Sequence, residues 1–408
     1  MNQRRLILIN HGNYINLPKD LIVSSGTLWE DFETFADWSG SGVEAANITE
    51  FKTGTQSMKS TIAASSWKDI WKLVTWDLSG DWKQLRFWSY YHDTDMTHYA
   101  SNYVFQLWTG AAYYKCNPPI NMCNYKTGWN YITLAKNSFS VSGVPDWAAI
   151  DKLYFASNAY AGGSVAVSYD NLMVGVKSKP CVLYSFDDGD ITQYVEAFGY
   201  LKSLGIRGTL YMLGIWLNDG THLTTAQILE MQTAGWTIAN HTHNHPDLTT
   251  LTEAQQETEL ALGKSTLDAA GITGGHYVAY PNGKLNEDTR TAMTALGYRL
   301  GSSTQPTASY LGNAYPSLTL PLGDPWNLGR TNIYNGITLA AAKVMKDQII
   351  ENGAVWTPYF HSLGTGAPNW TVADFKALVD YRRSEITHIT IDDLYKLTFG
   401  PIRVPKVF

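Results

Sequence analysis

The sequence predicts two architectures in one chain, an all-β sandwich over residues 25–177 and a distorted (β/α) barrel over residues 178–408. Three observations lead there. Up to residue 177, short alternating segments and turns run with almost no helical period, and ten of the fifteen tryptophans fall in this stretch. From residue 180, short apolar runs alternate with stretches of helical period, the pattern of a parallel sheet or barrel. Between the two stands Lys177-Ser178-Lys179-Pro180, a polar join, and 408 residues with 44% hydrophobic content suffice for two cores.

In chain order, residues 1–24 read as a separate segment that attaches the protein elsewhere. The longest apolar run there, Leu6 to Ile9, is too short for a signal-peptide core or a membrane span, so no export signal is expected. Within the sandwich, strand alternation in Leu85-Arg86-Phe87-Trp88-Ser89-Tyr90 sends Arg86, Trp88 and Tyr90 to one face and Leu85 and Phe87 to the other. In Tyr103-Val104-Phe105-Gln106-Leu107-Trp108, Gln106 and Trp108 oppose Tyr103, Phe105 and Leu107. A face mixing Trp and Tyr with Arg and Gln can stack on sugar rings and hydrogen-bond them. The same aromatics would also fill a sandwich core, and alternation alone does not choose.

In the barrel, strands are expected over 181–186, 208–213, 237–240, 276–280 and 355–361, with a last one over 388–391. Helices are expected over 192–204, 225–234, 253–270, 287–296, 339–351 and 372–384. Thr224 with Gln227 and Thr252 with Gln255 have the capping-box spacing that starts a helix. Fewer than eight repeats are clear, so the barrel is expected to be distorted or incomplete.

Two strings carry the chemistry. Tyr184-Ser185-Phe186-Asp187-Asp188-Gly189 puts two neighbouring carboxylates at the C-terminal mouth of a strand, the end where (β/α) folds place reactive groups. Adjacent residues on an extended backbone point in different directions, so one carboxylate can ligate a metal while the other takes a proton. A glycosidase pair must instead straddle a sugar with its carboxyl groups about 5 to 9.5 Å apart. His241-Thr242-His243-Asn244-His245 follows another apolar strand and carries His241 and His245 four apart, a spacing that one helical turn brings to one face. In an extended segment all three histidines would share a face, and His243 could ligate. Two imidazoles and one carboxylate form a common open zinc site that leaves the fourth position to water. Taken singly, the Asp-Asp-Gly string is more often a plain turn, since Asp and Gly favour turns, and the histidine string is as readily a solvated loop as a site. Their order and shared place at strand ends favour a site.

Ser185-Phe186-Asp187-Asp188-Gly189 and Asn240-His241-Thr242-His243-Asn244-His245-Pro246-Asp247-Leu248 resemble the first two motifs of the polysaccharide deacetylases, carbohydrate esterases with a NodB homology domain. The resemblance spans roughly residues 178–408. It implies Asp187 as general base and Asp188, His241 and His245 as ligands of Zn2+ or another divalent metal such as cobalt, nickel or manganese. Tyr280-Pro281-Asn282-Gly283 resembles the third motif, in which a backbone amide, here that of Asn282, helps hold an oxyanion. The arginine that usually braces the base near the start of that motif is replaced by Ala279, and Arg330 is the expected substitute. Val355-Trp356-Thr357-Pro358-Tyr359-Phe360-His361-Ser362-Leu363 resembles the last motif, which makes His361 the general acid. In an arbitrary barrel, such a histidine is more often a satisfied core residue.

Trp326 and Tyr280 are expected to line the substrate groove, and Trp88, Tyr90 and Trp108 to contact sugar, although an aromatic in a Pro/Gly-rich loop is also a common packing anchor. Trp29-Glu30-Asp31-Phe32-Glu33 and Val167-Ser168-Tyr169-Asp170-Asn171 resemble the ends of jelly-roll carbohydrate-binding modules, which implies a jelly-roll-like sandwich. That likeness offers Glu33 and Asp170 as ligands of a structural Ca2+.

The implied activity is metal-dependent hydrolysis of acetyl groups from a polysaccharide containing N-acetylglucosamine, such as a chitooligosaccharide or peptidoglycan. An O-acetyl xylan esterase is the alternative within the same chemistry. A non-catalytic glycan-binding or phage adhesion protein is the alternative of another class, and Ala279 is the feature that favours it. A net charge of -6 and a pI near 5.9 argue against nucleic acid and an anionic membrane surface as partners and suit a neutral acetylated polysaccharide. Acting on an extracellular glycan without a visible export signal would fit a virion-associated protein bound to phage particle proteins. A truncated chain or another secretion route would fit as well. Three cysteines make no disulfide framework; Cys116 and Cys123 could close a small loop, and Cys181 is expected as a buried thiol.

Overall fold

The computed structural model describes residues 22–42, 45–94, 98–117, 127–160, 162–305, 324–364 and 370–399. Of the expected attachment segment only Ile22 to Ser24 lie among them, as the start of a strand; the rest lies outside the described residues. The first part of the chain forms β1 (Ile22–Glu30), β2 (Trp38–Ser39), β3 (Ala45–Asn47), β4 (Ser57–Ile62), β5 (Trp67–Trp76), β6 (Gln84–Tyr91), β7 (Tyr99–Thr109), β8 (Ala112–Cys116), β9 (Gly128–Ala135), β10 (Ser140–Ser142), β11 (Ile150–Ala159) and β12 (Val165–Ser178). They pair antiparallel into two six-stranded sheets, β3-β4-β12-β6-β9 with β1 also on β12, and β10-β8-β7-β11-β5-β2.

Alternation decides what lies between the sheets. Leu85 and Phe87 of β6 and Phe105 and Leu107 of β7 are buried with Phe155, Val167 and Tyr169 in one core that both sheets line. Phe87 stacks on Phe105 with centroids 5.5 Å apart and meets Phe155 edge-on. Arg86, Trp88 and Tyr90 therefore face outward from the first sheet, and Gln106 and Trp108 outward from the second.

The second part forms β13 (Cys181–Val182), β14 (Ser185–Asp188), β15 (Thr209–Met212), β16 (Thr237–Asn240), β17 (Gly274–Ala279), β18 (Leu300–Gln305), β19 (Leu328–Asn332), β20 (Val355–Trp356), β21 (Pro358–Phe360) and β22 (Thr387–His388). Strands β14-β15-β16-β17-β18-β19-β21 close a barrel, so the distortion is a strand count of seven and not a gap in the wall. Helices α1 (Gly199–Ser203), α2 (Thr225–Thr233), α3 (Glu253–Ala269), α4 (Glu287–Ala295), α5 (Leu339–Asn352) and α6 (Val372–Asp380) cover the outside. Phe186, Leu210, Met212, Ile238 and Phe360 pack toward helices, while Tyr211, Ala239, Tyr277 and Ala279 fill the lumen. No helix among the described residues is long and apolar enough to cross a membrane.

Several elements depart from expectation. The run 181–186 breaks at Leu183-Tyr184: β13 pairs with β20 and β22 at the floor of the barrel, and β14 begins the wall. The run 355–361 breaks at Thr357, whose hydroxyl donates to the Gly329 carbonyl at 2.8 Å. Strands β18 and β19 were not expected, because Ser302, Ser303 and Arg330 make them look like polar loops; all three are buried, with Ser302 and Arg330 bonded inside the barrel. The expected strand 388–391 ends at His388. Thr390 and Asp393 then cap each other's backbone amides, and α7 (Ile391–Phe399) follows, placing Ile391 and Leu394 against Cys181 and Leu183.

The sheets meet the barrel at its floor. Gln84 of β6 donates to the Asn352 carbonyl at 2.5 Å, and the Ser178 amide to the Gly353 carbonyl at 3.3 Å, just before β20 begins. Cys116 is a buried free thiol 3.5 Å from the Ser138 hydroxyl; Cys123, the other half of the loop closure that the sequence allowed, lies outside the described residues. Cys181 is a buried free thiol.

Candidate active site

Strand β14 delivers two carboxylates with different surroundings. Asp187 faces the lumen and is 2% exposed, whereas Asp188, at φ 79°, turns to the upper rim and is half-buried. Gly189 follows at φ 88°, and a Cβ there would lie 2.2 Å from the Met212 sulfur, so only glycine lets the chain turn this close to β15.

His241 and His245 come together without the helical turn that their spacing suggested. Thr242 (φ 67°) and His245 (φ 61°) are left-handed, and the His245 amide donates to the Thr242 hydroxyl at 3.1 Å. The two rings meet edge-on at 4.9 Å, and the ligand atoms of Asp188, His241 and His245 all lie within 4.8 Å of one another. Left-handed backbone costs a β-branched residue about 1 to 3 kcal/mol, so this turn is held by its surroundings. One support is α3: a Cβ on Gly263 would lie 2.7 Å from the Thr242 backbone, so the helix approaches as only glycine permits. His243 turns to Gly214, where a Cβ would lie 2.4 Å from its Nδ1, and stands apart from the three-ligand group.

His241 Nδ1 donates to the Ala279 carbonyl at 2.8 Å, which leaves the Nε2 lone pair directed at Asp188 Oδ1, 3.5 Å away. Burial drives the His241 pKa down against the opposing pull of Asp187 and Asp188, so the ring is neutral and able to ligate. Asp188 Oδ1 is buried with no hydrogen-bond partner among the described residues. An orphaned carboxylate oxygen beside two imidazoles fits an open divalent-metal site of the zinc type.

Asp187 is gripped from the far wall of the barrel. Arg330 of β19 places Nη1 2.6 Å from Asp187 Oδ1 and Nη2 2.9 Å from Oδ2, and its guanidinium lies between the rings of Tyr359 at 4.2 Å and Tyr211 at 4.9 Å. Burial raises the Asp187 pKa, but the Arg330 charge and the hydrogen bonds of its fork outweigh it and hold the group below the usual carboxylate range. Tyr211 is itself fixed by the Ser302 hydroxyl at 2.9 Å, and Tyr359 accepts from Thr304 at 3.1 Å. Gln193, buried, donates to the backbone carbonyls of both Asp187 and His361 and so ties the ends of β14 and β21. Sequence reading missed Tyr211, Tyr359 and Gln193; none lies in a motif string except Tyr359, and their partners are distant in the chain.

His361 has its Nε2 3.9 Å from Asp188 Oδ2 and a side chain 42% exposed, open to solvent at the rim. Asn282 is exposed at φ 56° after β17, and its amide has no backbone partner among the described residues. Tyr280 requires correction as a groove residue: it is 1% exposed, and its hydroxyl donates to the Trp326 carbonyl at 2.9 Å, so it anchors the Trp326 loop from beneath. Trp326 is half-buried against that same cluster.

The expected sugar contacts of the first part do not form one site, because Trp88 and Tyr90 lie on one sheet and Trp108 on the other. Trp88 is also corrected as a stacking platform. Tyr131 covers it at 4.2 Å, nearly parallel, and the Lys52 ammonium lies over the ring at 4.3 Å, so this chain already fills its faces. Glu33 accepts the Thr55 and Gln56 amides and Asp170 those of Lys52 and Thr53, so both carboxylates brace one loop and form no calcium-type cluster among the described residues.

Comparison with known proteins decides what the barrel is related to. The polysaccharide deacetylase family matches residues 175–301. Those residues are a polysaccharide deacetylase domain. YxkH of Bacillus subtilis (strain 168), itself assigned to the polysaccharide deacetylases, is 37% identical over 142 residues, 34% of this chain and 51% of that protein. The peptidoglycan-N-acetylmuramic acid deacetylase PdaA of the same organism is 28% identical over 138 residues, 33% of this chain and 51% of that protein. The chain thus spans about half the length of the curated relatives it matches. A family 4 carbohydrate esterase from Streptomyces lividans, solved with acetate, aligns over 52% of this chain and 93% of its own at 18% identity and a TM-score of 0.35. The matched deacetylase residues carry Asp187, Asp188, His241, His245 and Asn282; Arg330 and His361 lie beyond residue 301, in and just after strands that close the same barrel.

Proposed function

We propose that this protein hydrolyses acetyl groups on a polysaccharide containing N-acetylglucosamine, with residues 178–408 as the catalytic domain and residues 25–177 as a jelly-roll-like carbohydrate-binding module. The observation that carries this reading is an ionised, Arg-clamped Asp187 with Oδ2 3.9 Å from His241 Nε2, beside a ready three-ligand group. Asp188, His241 and His245 would hold the metal. When bound, a divalent ion supplies Lewis acidity, which polarises a carbonyl and lowers the pKa of water.

The chain's own residues do the rest. Asp187 orients the attacking water and takes its proton. The Asn282 amide donates to the oxygen that becomes negative as the carbonyl is attacked. His361, exposed at the rim, gives a proton to the departing amine or alcohol. Ala279 alone favoured a protein without catalysis, and the Arg330 clamp on Asp187 supports the catalytic reading instead. The name of the relative PdaA points to peptidoglycan as a substrate to try, alongside chitooligosaccharides. Trp108, the remaining candidate in the module, has Tyr113 at 4.6 Å and the Lys152 ammonium at 4.4 Å over its ring and donates its Nε1 to Gln106, so it is corrected as a stacking platform with Trp88.

Replacing His241 with Ala is expected to strip the metal, measured by elemental analysis, and to abolish acetate release while the circular dichroism stays unchanged. Full activity in that variant would overturn the assignment.

A further inference from the structure

The upper rim carries an arrangement that the mechanism above does not use. The loop that leaves β15 runs from Gly214 to Leu223 and is stitched to both halves of the metal group. The Gly214 amide donates to the Thr242 carbonyl at 3.1 Å and the Ile215 amide to the His243 carbonyl at 3.0 Å, while the Leu223 amide donates to the Gly189 carbonyl at 2.9 Å. His222 also forms an antiparallel bridge with Asp190. Bridge partners have Cα atoms about 5 Å apart and two extended residues span about 7 Å, so the His222 Cα stands within about 12 Å of that of Asp188. An oligosaccharide of several units seated at the metal group is long enough to span that separation.

His222 is prepared rather than merely present. Its ring lies flat on Trp216, with centroids 4.3 Å apart and planes 5° off parallel. Its Nδ1 bonds Asp219 Oδ2 at 2.8 Å, and the same carboxylate accepts the Thr221 and His222 amides at 2.8 Å each. In the tautomer that a carboxylate on Nδ1 selects, Nε2 is an acceptor. No partner for Nε2 occurs among the described residues. Ile215, next to Trp216, is 52% exposed and adds an apolar edge.

We propose that His222, backed by Trp216 and locked by Asp219, is a positioning and specificity-determining residue that accepts a hydroxyl hydrogen bond from a sugar unit neighbouring the one that loses its acetyl group. The proposal rests on the deacetylase reading and makes the site a reader of chain length. One flat ring with one acceptor is the usual protein complement of a sugar, which offers an apolar face and hydroxyl donors.

The test is a pair of measurements with penta-N-acetylchitopentaose and its shorter homologues. Calorimetric titration into Asp187→Ala protein, with and without His222→Ala, is expected to show about tenfold weaker binding of the pentamer, the worth of one well-placed hydrogen bond. In the catalytically intact chain, His222→Ala is expected to raise KM for the pentamer about tenfold while kcat changes less than about twofold, with the loss shrinking toward the dimer and partly restored by His222→Gln. Unaltered pentamer affinity and KM would overturn the proposal, as would an equal loss at every chain length accompanied by loss of metal. Absence of acetate release from every oligomer by the wild type would instead overturn the deacetylase reading, and the titration would still decide whether His222 meets sugar.

Discussion

Asp187 acts only as its neighbours allow, and Arg330 is the neighbour that matters most. The guanidinium fork meets both carboxylate oxygens and is pressed between two tyrosine rings, which holds the pair in one geometry. Lysine cannot reproduce that fork. We expect Arg330→Lys to keep the metal and lower kcat/KM by roughly 10²-fold, the lower range of a general base's worth, as read by initial rates of acetate release. Activity at the wild-type level would show that the clamp is structural. At this scale much was legible in the sequence, because Asp187-Asp188 and the histidine string carry chemistry at fixed short spacing. Tyr211 and Gln193 were not legible: their value lies in contacts across the barrel, with Arg330 and with the His361 carbonyl, which no local pattern encodes. Trp88 misled for the opposite reason, since alternation gave its face correctly but not the Tyr131 and Lys52 that cover it.

Elements start where short-range bonds make them start. Thr224 with Gln227 and Thr252 with Gln255 form reciprocal capping boxes in the structure, as their spacing indicated. Thr252 begins α3, the helix whose Gly263 abuts the Thr242 turn, so its cap also supports the site. Thr252→Ala is expected to cost about 1 kcal/mol, read as a lower urea midpoint at unchanged slope; no change would mean that tertiary packing alone holds the helix end. Elements defined by long-range bonds were the ones missed. Strands β18 and β19 exist because their polar residues are paired inside a closed barrel. The histidine pair is brought together by two left-handed residues rather than a helical turn, a conformation that a β-branched Thr242 would not announce.

The whole molecule separates its two parts by end. Lys177-Ser178-Lys179-Pro180, where the composition changes, lies between the end of β12 and the start of β13, whereas the docking of the sheets at the barrel floor depends on single contacts such as Gln84 to the Asn352 carbonyl and could not be read ahead. The strand C-termini that carry Asp187, Asp188 and His241 lie at the other end, so the sheets leave that rim open. On the proposed reading, a module at the floor would serve by holding a polymer near the barrel and not by lining the groove. The central claim is that the rim hydrolyses acetyl groups, and acetate release by the zinc-loaded chain from chitooligosaccharides, peptidoglycan and acetylxylan tests it most directly, with Asp187→Ala as the blank. Release that vanishes in the variant is the expected result, and the substrate that yields it identifies the glycan. No release from any of the three by a chain with bound metal would contradict the account and leave a glycan-binding protein.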